Sequence, residues 1–120
     1  MQKRVVIAGS RYFKDYALFC SVVDGYLTRL RCEYDLVILS GHCVGTDLMA
    51  ERYARERGFG LEVFPADWSL GRKAGPLRNK AMVDVADYAI AFPGGGRGTE
   101  SLIGYARAKG IPLKIYPVEG

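Results

Sequence analysis

The sequence is poor in the residues that hold metals or build disulfides. Its three cysteines, Cys20, Cys32 and Cys43, are an odd set without C-x-x-C spacing, so neither a disulfide framework nor a zinc site is indicated. His42 is the lone histidine, and no cluster of ligands surrounds it in the sequence, so no metal is expected. It adjoins Cys43, but neighbouring side chains on an extended segment diverge and no third group is visible to orient the imidazole; a His–Cys nucleophilic dyad is therefore not expected. No apolar run approaches the roughly 18 residues of a membrane span, and no repeat, linker or low-complexity tract interrupts the chain. The opening Met-Gln-Lys-Arg-Val-Val-Ile reads as the approach to a strand rather than as a signal peptide. Free thiols suit a reducing compartment, so a cytoplasmic location without a membrane partner is the expectation.

What the chain does have is enough length for one core. At 120 residues it can bury roughly two-thirds of its unfolded surface without a staple, and residues 1–120 are expected to form a single domain. The net charge of +4 is mild; it fits a nucleotide or nucleic-acid partner, and it fits solvated surface lysines and arginines equally.

Patterning predicts five strands alternating with four helices. The strands are Arg4 to Ala8, Leu36 to Leu39, Leu61 to Phe64, Tyr88 to Phe92 and Pro112 to Tyr116. A first helix runs from about Asp15, its cap, to Arg31, with Phe19, Val22, Val23, Tyr26, Leu27 and Leu30 on one face. A second runs to about Arg57, with Met49, Ala50, Tyr53 and Ala54 as its buried stripe, a Glu51–Arg55 pair, and Gly58 or Gly60 as its stop. A third spans Leu77 to Asp84 behind Pro76 at the first helical position, and a fourth spans Glu100 to Lys109. This alternation implies a parallel sheet covered on both faces, with ligands outside the carboxyl ends of the strands.

The unusual loops all fall at that edge. Pro93, Gly94, Gly95, Gly96, Arg97, Gly98 and Thr99 join a buried strand to a helix start. Glycines let backbone N–H groups converge, the helix start adds a positive dipole end, Thr99 is placed to cap, and Arg97 brings a full charge; the natural occupant is an anion. Four glycines exceed what a tight turn needs. No Gly-Lys-Ser/Thr follows, Thr99 stands where G-x-G-x-x-G ends, and Arg29 to Arg31 lie about 20 residues after the first glycine turn, where an acidic ribose ligand would stand. ATPase and ordinary NAD dehydrogenase readings are thereby excluded.

Gly9, Ser10 and Arg11 place a hydroxyl and a guanidinium at the mouth of the first strand, suited to phosphate or carboxylate. Gly41, Gly45 and Asp47 follow the second strand, where Asp47 suits either ribose hydroxyls or the helix dipole. Arg72, Lys73, Arg78 and Lys80 form the densest positive stretch, beside a helix start that favours phosphate. Trp68 suits stacking on a base or plugging the sheet edge, and core packing is the expectation.

Taken in order, Gly9-Ser10-Arg11, Ser40-Gly41 with Gly45 and Asp47, Ala66-Asp67-Trp68, Gly71 with Lys73-Ala74-Gly75-Pro76, Arg78-Asn79 with Met82, and Phe92-Pro93-Gly94-Gly95 with Gly98-Thr99 resemble the YspA-like, YpsA-related branch of the SLOG superfamily. The resemblance covers nearly the whole chain. It implies a Rossmann-like three-layer α/β fold and a sensor or regulatory module that binds a nucleotide or nucleotide-derived ligand such as AMP, ADP-ribose or an NAD-like molecule, with no cofactor required. The superfamily includes the Lonely guy phosphoribohydrolases, which hydrolyse the N-glycosidic bond of nucleoside 5′-monophosphates, and DprA-type single-strand DNA binders. Members commonly self-associate, so a homo-oligomer is implied as well.

The phosphoribohydrolases use an Arg from R-K-x-x-M and a Glu from P-G-G-x-G-T-x-x-E. Arg78 and Met82 match the first motif, with Asn79 in place of its Lys. In the second, one extra residue separates the glycines, and the glutamate position holds Leu102 while Glu100 directly follows Thr99. An oxocarbenium-like transition state needs a carboxylate against the sugar or its water, and helix positions one and three point about 200° apart. Arg78 and Glu100 are the catalytic candidates if the chain is an enzyme. The ligand-binding expectation is Gly9, Ser10 and Arg11, Gly41, Gly45 and Asp47, Arg78 and Asn79, and the run Pro93, Gly94, Gly95, Gly96, Arg97, Gly98 and Thr99.

Overall fold

The computed structural model describes residues 1–94 and 98–119. Its sheet holds five parallel strands in the order β3-β2-β1-β4-β5: β1 Gln2–Gly9, β2 Asp35–Ser40, β3 Gly60–Val63, β4 Tyr88–Phe92 and β5 Leu113–Ile115. The helices are α1 Tyr16–Leu27, the four-residue α2 Leu30–Glu33, α3 Thr46–Arg57, α4 Ala74–Val85 and α5 Glu100–Lys109, with a 3-10 segment at Trp68–Lys73. This is a Rossmann-like three-layer α/β fold.

Alternation along β1 sorts the two cores. Val5 and Ile7 pack with Phe19 and Val23 of α1 and Ala50 and Tyr53 of α3. Val6 and Ala8, one residue out of phase, pack with Met82 and Val83 of α4 and Leu102 and Ala106 of α5. Both faces of the central strands are therefore apolar, which is why their sequences read as unbroken aliphatic runs.

Three local expectations are corrected. The first helix is interrupted after Leu27 and resumes as a separate turn, α2; Thr28 and Arg29 between them keep helical dihedrals, and the Thr28 hydroxyl donates to the Asp24 carbonyl at 2.6 Å, a bond that bends helices. Asp15 does cap α1, accepting from the Leu18 N–H at 3.1 Å. Pro76 is the third residue of α4 rather than the first; its missing N–H still falls among the donors that no helical turn would satisfy. The third connection, expected to be loop, contains the 3-10 segment. That segment is broken at Gly71, whose φ is 73°.

Candidate functional site

Strand order reverses between β1 and β4, since β2 and β3 lie on one side of β1 and β5 lies beyond β4. The crevice of an open parallel sheet forms at such a point. There, at the carboxyl ends, lies a cleft of about 570 Å³ lined from all four expected loops.

After β1, Ser10 and Arg11 reach the cleft together with Tyr12. The Ser10 Oγ accepts the Tyr12 N–H at 3.1 Å, and the Ser10 carbonyl accepts from the Thr46 N–H and hydroxyl at 3.2 and 2.9 Å, tying this loop to the start of α3. Gly45 makes that junction close: its φ is 83°, and a Cβ there would lie 2.5 Å from the Arg11 carbonyl carbon. Gly9 lies under the same junction, against Phe92 and Thr46. Arg11 makes no ion pair among the described residues.

After β2, Asp47 is 5% exposed and borders the cleft. Its Oδ2 accepts the Cys43 N–H at 3.2 Å, whereas Oδ1 has no hydrogen-bond partner among the described residues. No buried side-chain polar atom of those residues is left unsatisfied, so Oδ1 keeps contact with solvent, on a residue that lines the cleft. Burial pushes the Asp47 carboxyl up to about 6; the Cys43 N–H and the Arg78 charge pull against that shift, and Glu51 adds to it. Arg78 comes from α4. It donates to the Gly41 carbonyl, to Asn79 Oδ1 at 2.8 Å and to the Phe64 carbonyl at 3.5 Å, and its Nη2 lies 3.7 Å from Cys43 Sγ. A side chain at Gly41 would collide with both Arg78 and Asp47, which approach one another over this glycine.

Sequence reasoning missed Glu51. Its surface pairing with Arg55 exists, at 3.7 Å, but the residue is only 3% exposed. Glu51 Oε2 accepts from the Ser40 hydroxyl and pairs with His42 Nδ1, each at 2.8 Å. His42, at φ 62°, is thereby given the orienting group that the sequence did not display. A polar residue next to Ala50 on an otherwise buried helix face was the available signal.

After β3, Trp68 corrects the expectation of core packing: it is 63% exposed and borders the cleft with Arg72, Gly75 and Pro76. The Asp67 side chain caps its 3-10 turn and holds it outward, accepting from the Ser69 N–H at 3.1 Å. The basic stretch is divided. Arg78 turns into the cleft, Lys80 pairs with Asp84 at 3.1 Å, and Lys73 is exposed outside the lining. Arg72 makes no ion pair among the described residues.

After β4, Gly98, Thr99, Glu100 and Ser101 line the cleft. Asn79 Nδ2 donates to the Gly98 carbonyl at 3.2 Å and to Ser101 Oγ at 2.9 Å, clamping the start of α5 to α4. Thr99 occupies the cap position but makes no side-chain capping bond; its backbone is already helical (φ −89°, ψ −17°), not the extended conformation from which a cap reaches back. Leu102 is fully buried in the core between sheet and α5, so the glutamate position of the phosphoribohydrolase motif is an apolar one here, while Glu100 is exposed on the cleft rim. Pro93 and Gly94 close β4 outside the lining, with the Pro93 carbonyl accepting the Val118 N–H at 2.9 Å. Gly95, Gly96 and Arg97 lie outside the described residues. Among the described residues no group of acidic, histidine or cysteine side chains could hold a metal ion, and no helix is long and apolar enough to cross a membrane.

Comparison with known proteins agrees with this architecture. Residues 3–71 match the model of the YspA, cpYpsA-related SLOG family. The Gene 61 protein of Mycobacterium phage D29 is 41% identical, the match covering 92% of this chain and 94% of that protein. The X-ray structure of TM1055, a Northeast Structural Genomics Consortium target, shares the fold with a TM-score of 0.67 at 20% identity, over 92% of this chain and 72% of that one.

Proposed function

The chain belongs to the YspA, cpYpsA-related SLOG family, and from that premise we propose that its cleft binds a nucleotide or nucleotide-derived ligand of the AMP, ADP-ribose or NAD type, as a cytoplasmic sensor or regulatory module. One observation carries the reading. The buried Asp47 lines the cleft with one carboxylate oxygen unpartnered, and Arg11 and Arg72 of the same cleft lack carboxylate partners among the described residues. Such a cleft offers an acceptor for ribose hydroxyls and donors for phosphate in one volume.

The assignments follow from chemistry. The start of α5, at Thr99 and Glu100, presents unsatisfied N–H groups and a positive dipole end to a phosphate. Arg11 and Arg72 supply guanidinium charge, and Arg78, anchored on backbone carbonyls, keeps its position without a ligand. Asp47 accepts a hydroxyl hydrogen bond that no protein group among the described residues provides. Isothermal calorimetry with AMP, ADP-ribose and NAD is expected to show saturable binding of at least one ligand, weakened by Arg11→Ala. Absence of heat with all three, and of any thermal shift, overturns the reading.

A second reading, N-glycosidic hydrolysis of a nucleoside monophosphate, is favoured by Glu100 and Arg78 lining the same cleft as Asp47. It expects chromatographically detected base release from AMP that Glu100→Gln abolishes. Recovery of intact AMP from the protein eliminates it.

A further inference from the structure

We propose that Trp68 is the platform on which the ligand's heteroaromatic base stacks, so that the cleft selects nucleotides with an intact base over bare sugar phosphates. The inference rests on the nucleotide reading and adds to it the recognition of a third part of the ligand.

The ring cluster of the core shows what Trp68 lacks. The buried Phe13, Phe92, Phe19 and Tyr53, with the half-buried Phe59 at the edge, form a continuous chain of ring contacts at centroid distances of 5.3 to 5.9 Å. Trp68 has no ring contact and no acceptor for its indole N–H among the described residues, although it stands on the wall of a cleft. An indole left this exposed forgoes the burial that normally accounts for its presence, and a flat partner arriving from solvent restores it.

The residue is held for that role by its surroundings. The Asp67 side chain accepts from both the N–H and the hydroxyl of Ser69, at 3.1 and 2.6 Å, and the Asp67 carbonyl accepts the Leu70 N–H at 3.0 Å, fixing the turn that bears the indole. At the other end of the ring, a Cβ on Gly75 would lie 3.8 Å from Trp68 Cη2, so that edge of the indole lies near the first turn of α4 while the residue as a whole stays 63% exposed. Arg72 follows four residues later on the same wall, placing phosphate-binding charge beside the stacking surface. Tyr12, 60% exposed on the loop after β1, adds a second ring to the cleft, with the Arg11 guanidinium 6.0 Å from its centroid. Stacking on an aromatic tolerates any base, so selection falls between ligands with and without a base rather than among bases.

Trp68 is the single tryptophan, which makes fluorescence a direct reporter. Wild-type protein is titrated with AMP, UMP and ribose 5-phosphate, following tryptophan emission and calorimetric heat in parallel. Saturable quenching is expected with AMP and UMP and not with ribose 5-phosphate. Trp68→Ala is expected to weaken AMP about tenfold or more, with ribose 5-phosphate unaffected and Trp68→Phe retaining most of the affinity. AMP that binds by calorimetry without quenching, or with equal affinity to Trp68→Ala, or no more tightly than ribose 5-phosphate, overturns the stacking assignment and leaves the nucleotide reading standing. Failure of all three compounds to bind, and of ADP-ribose and NAD titrated in the same way, overturns both; if only ADP-ribose or NAD binds, equal affinity for Trp68→Ala overturns the stacking assignment alone. Circular dichroism confirms that the exposed substitutions leave the fold unchanged.

Discussion

Asp47 is the residue at which cost and use coincide. Its folded pKa of about 6 stands above the ordinary aspartate value of 3.8 because burial disfavours the carboxylate. Between those two pH values the folded protein holds a proton that the unfolded chain has lost, so stability contributed by this group falls as pH rises through that window and the full cost stands above about pH 6. The difference corresponds to about 3 kcal/mol. Asp47→Asn keeps an acceptor for the Cys43 N–H and is expected to stabilise the protein at neutral pH, with the gain vanishing near pH 4; urea denaturation at both pH values checks it. The same substitution is expected to weaken ligands bearing ribose and to spare inorganic phosphate, read by calorimetry. Glu51 illustrates the opposite economy, a buried carboxylate matched with Ser40 and His42. Glu51→Ala leaves the Ser40 hydroxyl without its carboxylate acceptor, and an expected loss of about 1–3 kcal/mol is measurable by chemical denaturation.

Between elements, the loops are governed by how closely two backbones approach. Gly45 and Gly58 both have positive φ, 83° and 73°, but a Cβ at Gly45 meets the Arg11 and Ser10 backbone within 2.6 Å whereas one at Gly58 meets nothing within 4 Å. Alanine at Gly58 is therefore expected to cost about 1–2 kcal/mol, the penalty of a left-handed backbone alone. Alanine at Gly45 adds a clash that only movement of the loop after β1 relieves, with an expected loss above about 3 kcal/mol and weakened ligand binding, since Ser10 and Arg11 sit on the displaced loop. Comparing the two melting curves separates conformational strain from crowding. The strands and helices behaved as their patterns predict because each repeats one simple rule of burial. The differences arose where a side chain bonds back onto its own helix, as Thr28 does, or where a short turn such as Trp68–Lys73 has no periodicity to read.

For the whole molecule, the sheet order places the ends of β1 and β4 together and makes four separate loops one cleft. A ligand that bridges them binds only the folded chain. At a hundredfold excess over its dissociation constant it is expected to add about 2.7 kcal/mol of stability and to raise the melting temperature by roughly 10 °C. A shift confined to phosphate-bearing compounds agrees with the arginines of the cleft.

Much of this was already written in the amino-acid order. Unbroken aliphatic strands alternating with amphipathic helices specify a parallel three-layer fold, because backbone pleat and helical period are local properties and burial follows from them directly. The glycines, Ser10, Arg11, Asp47 and Arg78 were visible as candidates for the same reason: special backbone or charge at strand ends is itself a local signal. Only the tertiary structure decided which way side chains face once segments distant in sequence meet. It buried Glu51 beneath His42, put Leu102 in the core where a catalytic glutamate was sought, and left Trp68 facing the cleft rather than the interior. Those outcomes depend on long-range contacts, to which no spacing along the chain corresponds.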